Sequence, residues 1–282
     1  MDATISTNFA EHYGPWALVA GASDGIGEAY AHEIARRGVN VALLARRGAV
    51  LDEVATALQA QHGVETRTIV ADLTDPKLGD IVGAAVAGLD VGLLVYNAGA
   101  VHAAKKFLDR PIADATQLVD LNCRGPITLV HLLGPGMRTR RRGGIVLMSS
   151  MAALAGASYI ATYAATKAFD IILAEALWHE LGPEGIHVCS VIAGATDTPS
   201  MRSSNDKFGD YDGLMDPNDV AVQALDHLGQ GPTLVPGDAN RQVAATIWPS
   251  SRVQLSNMMS NATADMYGLP HIAVEGRDFN DG

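Results

Sequence analysis

Cysteine is nearly missing from this chain. Only Cys123 and Cys189 occur among 282 residues, too few for a disulfide framework and suited to a reducing compartment. No apolar run reaches the roughly 18 residues of a bilayer-spanning helix, so no membrane span is expected. Basic charge is also short: 20 Lys and Arg stand against 31 Asp and Glu, a formal net charge of −11. Duplexes and anionic membranes need a basic face, so nucleic acid and membrane surfaces drop out as partners. The cluster Arg138, Arg140, Arg141 and Arg142 reads as a solvated turn rather than an anion site. The opening residues MDATISTNFAEHYG lack the charged start and apolar core of a secretory signal. That predicts a cytoplasmic protein and leaves the Asn261-Ala262-Thr263 sequon idle. Nine histidines show neither H-E-x-x-H nor Cys–His spacing, so no metal is expected, and His179 and His187, flanking a turn, read as surface residues.

What the chain does have is alternation. Short aliphatic runs at 16–20, 39–45, 66–71, 91–96, 144–149, 186–192 and 233–235 are separated by helical patterns. Continuous apolar runs mark strands buried on both faces, and helices between them imply right-handed βαβ crossovers. The predicted fold is α/β, a doubly wound parallel sheet of Rossmann type flanked by helices. With no linker, repeat or low-complexity tract, residues 1–282 read as a single domain. Residues 196–216 turn small, polar and charged and are expected to form a lid loop, in which Met201, Phe208, Tyr211, Leu214 and Met215 could cover an apolar substrate. Residues 237–282 form a C-terminal extension, helical in part, whose Met258, Met259 and Met266 read as core filler.

Gly21-Ala22-Ser23-Asp24-Gly25-Ile26-Gly27 lies between the first strand and the first helix. Glycines there let backbone approach a pyrophosphate, whose charge meets the helix N-terminus. Asp24 adds a negative charge that also suits a helix start. The second strand ends Leu44-Ala45-Arg46-Arg47, with no carboxylate to accept from a ribose 2′-hydroxyl. Arg46, helped by the Ser23 hydroxyl, suits a 2′-phosphate, so NADP(H) is expected over NAD(H). Asp72-Leu73 follows the third strand, and Asp72 either reaches the adenine or caps a helix starting near Thr74 or Asp75. Asn97-Ala98-Gly99 ends the fourth strand, where Gly99 permits close backbone approach.

Tyr163 and Lys167 are four apart in a helical pattern and project from one face. Ser149 and Ser150 end the fifth strand, at the edge where open α/β sheets bind ligands, and Asn122 lies on the helix before it. With GASDGIG, NAG, Asn122, Ser150 and YAATK in these positions, the chain resembles the short-chain dehydrogenase/reductase family to about residue 240. It looks most like the branch of 3-oxoacyl reductases and hydroxysteroid dehydrogenases. One departure is Ala193-Gly194 where the family has Pro-Gly, which predicts a looser turn there.

The resemblance implies hydride transfer between a nicotinamide and an apolar ketone or secondary alcohol, with Asn122, Ser150, Tyr163 and Lys167 catalytic. Tyr163 would be general acid in reduction and base in oxidation. A free phenol ionises near pH 10, and bringing it to about 7 requires roughly 4 kcal/mol of preferential phenolate stabilisation. Lys167 and an oxidised nicotinamide would supply it, and Ser150 would hold the substrate oxygen. The resemblance also implies that Lys167 contacts the nicotinamide ribose and that Thr198, with Thr196 as second candidate, contacts the cofactor. Pro126 has no N–H for the Asn122 carbonyl, which frees that carbonyl for the water relay the family implies. Ile171, Ile172, Ala174, Leu177 and Trp178 place apolar side chains on two sides of one helix, so a homodimer or homotetramer is expected. Two rivals remain: a catalytically silent NADP(H)-binding sensor, and a hydrolase using Ser150 and Lys167, which lacks a G-x-S-x-G elbow.

Overall fold

The computed structural model describes residues 9–99, 104–204, 213–248, 251–254, 257, 261, 271 and 275–277. A seven-stranded, wholly parallel sheet forms its centre, from β1 (Trp16–Ala20), β2 (Asn40–Ala45), β3 (Thr66–Val70), β4 (Val91–Tyr96), β5 (Gly143–Ser150), β6 (Ile186–Ala193) and β7 (Thr233–Leu234). Their order is β3-β2-β1-β4-β5-β6-β7. The chain winds outward from β1 in one direction, then returns to its other side at β4. That reversal makes the carboxyl ends of β1 and β4 the crevice of a doubly wound sheet.

Neighbouring residues of one strand serve opposite cores. Val19, Leu43, Val95 and Val146 pack with α1 (Gly25–Arg36), α2 (Gly48–His62) and, after the sixth strand, the helix Pro217–His227. Leu18, Leu44, Leu94 and Leu147 face the other way, against α3 (Leu78–Ala85), α5 (Gly125–Arg140) and α6 (Ala161–Leu181). Between α3 and α5 come α4 (Ile112–Val119) and a wide π turn, Asp120–Arg124. Full burial of each such aliphatic side chain contributes about 1.5–3 kcal/mol, which is why the inner strands read as unbroken apolar runs while the edge strand β3 (TRTIV) does not.

Several expectations are corrected here. His179 is 2% exposed and edge-on to Trp178, and His187 is half-buried, stacked on His12 with ring centroids 4.4 Å apart. Tyr13 Oη lies 2.7 Å from His187 Nδ1, and burial together with His12 pushes the His187 pKa down to about 4. Nor are the arginines a freely solvated turn. Arg138 pairs with Glu184, Arg140 with Asp90 at 2.6 Å, Arg141 donates to the Pro183 carbonyl, and Arg142 donates to the Gly14 carbonyl at 2.6 Å. On α6, Ile171, Ala174 and Trp178 are all buried in the fold, leaving Ile172, at 59% exposure, as the outward apolar residue of the set. The apolar excess of that helix therefore serves the monomer's core.

The described part of the segment after β6 holds regular structure. It opens with α7 (Pro199–Ser204), and Thr196 pairs with Met215 in a parallel bridge. Leu214 and Met215 precede α8 (Pro217–His227), while Phe208 and Tyr211 lie outside the described residues. Ala193-Gly194 is braced rather than loose: a Cβ at Gly194 would collide with the Asn240 amide, and Thr196 Oγ1 donates to the Gly194 carbonyl at 3.0 Å. Asn240 belongs to α9 (Asp238–Ile247). Beyond it Arg252 lies over the Trp248 ring and makes a bidentate pair with Glu175 of α6, at 2.8 and 2.7 Å. Met258, Met259 and Met266 lie outside the described residues.

Candidate active site

The glycine turn is held open by backbone geometry. Gly21 and Gly25 have φ of 84° and 58°, the left-handed region that side chains avoid. A Cβ at Gly21 would sit 2.8 Å from the Ala98 nitrogen, and one at Gly25 2.9 Å from Thr198 Cγ2. At Gly27 it would collide with the Gly21 carbonyl oxygen and come within 2.7 Å of Asn97 Nδ2. Asn97 donates to that same carbonyl at 3.2 Å. The end of β1, the start of α1 and the end of β4 are thus packed backbone on backbone. Ile26 packs against the core beneath. Asp24, at the N-cap of α1, is extended and makes no side-chain cap bond, leaving the first-turn amides without one. This is the donor set that an anionic diphosphate fits.

Asp24 and Ser23 are instead engaged by Arg47, which pairs with the Asp24 carboxylate and donates to Ser23 Oγ at 2.9 Å. Arg46 is exposed at the end of β2. Its charge, together with the Thr74 amide and hydroxyl, holds the Asp72 carboxyl below the usual range, the amide contributing most. Asp72 caps a tight turn through Thr74 N–H at 2.9 Å, and no helix begins at Thr74 or Asp75: α3 starts at Leu78. Two Asx-type bonds, from Asp72 and Asp75, use up the first amides and delay the helix. Leu73 is buried below them.

Lys167 and Asn122 meet at Gly99. A Cβ there would lie 3.1 Å from Lys167 Nζ and 3.6 Å from Asn122 Oδ1. Asn122 sits in the π turn, where the Gly125 amide reaches back to the Asp120 carbonyl. Pro126 cannot close the ordinary helical bond to Asn122, and the helix widens around that position. Asn122 donates through Nδ2 to Thr166 Oγ1 at 2.9 Å, and Thr166 donates to the Tyr163 carbonyl at 3.0 Å. Lys167 donates from Nζ to the Met148 carbonyl at 2.6 Å and to Asp170 Oδ2 at 3.1 Å. Burial pushes the Asp170 carboxyl up to about 6 against the opposing pull of Lys167. Ser149 Oγ donates to the Lys167 carbonyl at 2.7 Å, clamping α6 to β5.

Ser150 ends β5, its Oγ accepting from the Ala152 amide at 3.2 Å. Tyr163 stands in the first turn of α6 and lines a small cleft with Lys105, Phe107, Arg110, Leu118 and Tyr159. Tyr159 is itself held at φ 70°, with its carbonyl accepting from the Lys105 amide at 3.1 Å. Sequence reasoning missed Thr166 and Asp170. The signal for Asp170 was present: a carboxylate one turn after Lys167, inside an otherwise apolar stretch. Ser23, expected to donate to a 2′-phosphate, has its Oγ accepting from Arg47 in this structure.

A family model described as short chain dehydrogenase matches residues 15–208. A very-long-chain 3-oxoacyl-CoA reductase of Anas platyrhynchos is 37% identical over 199 residues, covering 69% of this chain and 64% of that protein. The chain therefore spans less than two thirds of that reductase's length. A 7beta-hydroxysteroid dehydrogenase of Clostridium sardiniense is 31% identical over 236 residues, covering 83% of this chain and 90% of its own. Among solved structures, a short-chain dehydrogenase from Sphingobium yanoikuyae in complex with NADPH superposes with a TM-score of 0.73 at 26% identity, over 94% of this chain and 99% of that one. Parallel sheet, glycine turn, and the Tyr163 and Lys167 helix converge with these matches on one conclusion: the chain belongs to the short-chain dehydrogenase family, oxidoreductases acting on CH–OH and C=O groups.

Proposed function

We propose that this protein interconverts an apolar ketone and its secondary alcohol with NADP(H), Tyr163 serving as general acid in reduction and general base in oxidation. One observation carries the reading. An unbroken run of contacts links Thr198 to Gly25, then Gly27 and Gly21 to Asn97 and Ala98, and finally Gly99 to Lys167 and Asn122. A dinucleotide laid along that run would have its diphosphate at the Gly21–Gly27 turn and its nicotinamide end beside Lys167 and Tyr163. Asp72 and Leu73 would flank the adenine, and Thr198 the opposite side.

Arg46 would hold a 2′-phosphate, since neither Ala45 nor Arg46 can accept from a ribose 2′-hydroxyl and a guanidinium makes charge-assisted bonds to phosphate. The NADPH held by the Sphingobium yanoikuyae protein supports that preference. When bound, the nicotinamide supplies or accepts the hydride. Tyr163 gives its phenolic proton to the substrate oxygen in reduction and takes one back in oxidation. Ser150 hydrogen-bonds that oxygen, and Lys167 places positive charge beside the phenol and the ribose. Asn122 holds Thr166 and keeps the helix bearing both residues in register.

Phe107, Leu118 and Tyr159 around Tyr163 support an apolar substrate. The steroid and 3-oxoacyl names of the relatives support those two classes. Exposed Val119, Ile127 and Ile172 support association into a dimer or tetramer. Two free cysteines, with no helix among the described residues long and apolar enough to cross a membrane, support a cytoplasmic setting. The test is NADPH oxidation by the purified protein against small ketones, 3-oxoacyl thioesters and keto-steroids, with Tyr163→Phe as control. Turnover abolished by that substitution is expected. Tight NADPH binding without turnover on any of the panel would point to a sensor instead.

A further inference from the structure

Asp170 is a buried carboxylate that the reaction described above does not use. It and Lys167 have side chains only 2% and 5% exposed, and their 3.1 Å pairing is sealed between α6 and the sheet. Lys167 has three N–H donors. One goes to the Met148 carbonyl and one to Asp170, which leaves a single donor for anything placed at Gly99. Asp170 Oδ1 and Asn122 Oδ1 are both buried without a hydrogen-bond partner among the described residues. Two orphaned acceptors beside one ammonium mark a network with an unused alternative arrangement.

The other groups facing Asp170 are Tyr96 from β4 and Cys123 from the π turn. Burial pushes the Tyr96 phenol far up, and its hydroxyl is occupied by the Leu121 carbonyl. Burial and the Asp170 charge push the Cys123 thiol up to about 11. Neither ionises across an ordinary assay range, and β5 offers only the Met148 carbonyl and the Ser149 hydroxyl. Among the described residues, Lys167 is therefore the one cation that the Asp170 carboxylate meets.

We propose that Asp170 is a positioning residue for the Tyr163–Lys167 pair, holding the Lys167 ammonium against β5 and cancelling its charge when ionised, and releasing that charge toward Tyr163 when protonated. The proposal rests on the oxidoreductase reading above. Ionised Asp170 disfavours phenolate at Tyr163 and so favours the protonated tyrosine that reduction needs. The same anion restrains oxidation, in which Tyr163 must first lose a proton. The charge pairing itself is close, Lys167 Nζ lying 3.1 Å from Asp170 Oδ2, and an opposite charge at that range commonly moves a carboxyl equilibrium by one unit or more.

The test uses the full chain and two readouts. The first needs no cofactor. The chain's lysines are Lys77, Lys105, Lys106, Lys167 and Lys207, few enough for side-chain NMR of isotope-labelled lysine to resolve Lys167. Its resonance should show an inflection between about pH 5 and 7, from Asp170, that disappears in Asp170→Asn. The second readout is the pH profile of alcohol oxidation. In Asp170→Asn its rising limb should move about one unit toward acid, giving about tenfold faster oxidation on the acid side of that limb. Asp170→Glu should restore the wild-type profile. A Lys167 signal indifferent to Asp170 overturns the proposal, as does an unshifted profile in a folded Asp170→Asn protein. A wild-type protein inactive on every ketone, with the Lys167 inflection intact, overturns the oxidoreductase reading and leaves the pairing standing.

Discussion

Asn122 reaches Thr166 across 2.9 Å, joining the π turn to α6 midway between Tyr163 and Lys167. The bond is buried at both ends, and Thr166 passes it on to the Tyr163 carbonyl. Thr166→Val preserves shape while leaving the Asn122 amide unpaired. It should cost about 1–3 kcal/mol in denaturant unfolding, the penalty for one buried orphan, and lower kcat through a displaced α6. A variant as stable and as active as the parent would show that this bond positions nothing.

Arg46 and Arg47 divide their tasks at the end of β2. Arg47 is pinned across the glycine turn by Asp24 and Ser23, whereas Arg46 is exposed and its charge helps hold the Asp72 carboxyl ionised. Arg46→Ala should weaken NADPH binding about ten- to hundredfold, the loss of one charge-assisted contact, and leave NADH nearly unchanged. Fluorescence titration with both nucleotides measures this. Equal losses for the two would assign Arg46 to a region shared by both cofactors.

Gly99→Ala tests the crowding around Lys167. A methyl 3.1 Å from Nζ and 3.6 Å from Asn122 Oδ1 displaces flexible side-chain ends rather than backbone. The fold should survive, while kcat falls by about tenfold or more because misplacement by a fraction of an ångström is enough to misalign a reacting group. Circular dichroism and steady-state kinetics read the two effects separately, and unimpaired kcat would argue that Lys167 has room to spare.

At the opposite edge of the sheet, His187 carries an acid sensitivity. Its folded pKa of about 4 is below the ordinary 6.5, mainly through burial, so the unfolded chain binds the proton more readily. This stabilisation is complete above pH 6.5 and is lost as pH falls toward 4. With the ring only half-buried, about 1–2 kcal/mol is at stake after allowance for solvent screening. His187→Gln should flatten the unfolding free energy between pH 6.5 and 4. A slope identical to the parent's would place the sensitivity elsewhere.

Much of this molecule is legible along the chain because its signals are local. Most strands appear as continuous apolar runs, the edge strand β3 (TRTIV) excepted, and all seven fall within a residue or two of their sequence positions. The glycine turn and the Tyr163–Lys167 spacing are likewise short-range. What escaped depends on distant partners. Arg142 meets the Gly14 carbonyl and His187 meets Tyr13, contacts between segments that share no local pattern. Asp170 shows the boundary most clearly: its spacing from Lys167 is visible in the sequence, but its burial is settled by β4, β5 and the π turn together. Pro126 signalled a lost helical bond, and only the fold shows the turn widening around it.

The position of β1 has a consequence for synthesis. Of the described strands it is made first, yet it lies inside the sheet, with Leu18 between Ala42 of β2 and Leu94 of β4. Until the ribosome has delivered β4, the Trp16–Ala20 edge stays unpaired, a hydrophobic template open to any other nascent chain. A stall or truncation before Val91 would therefore yield an aggregation-prone fragment rather than a smaller folded unit, and co-translational chaperones would find an early target in a strand that later becomes buried along its whole length.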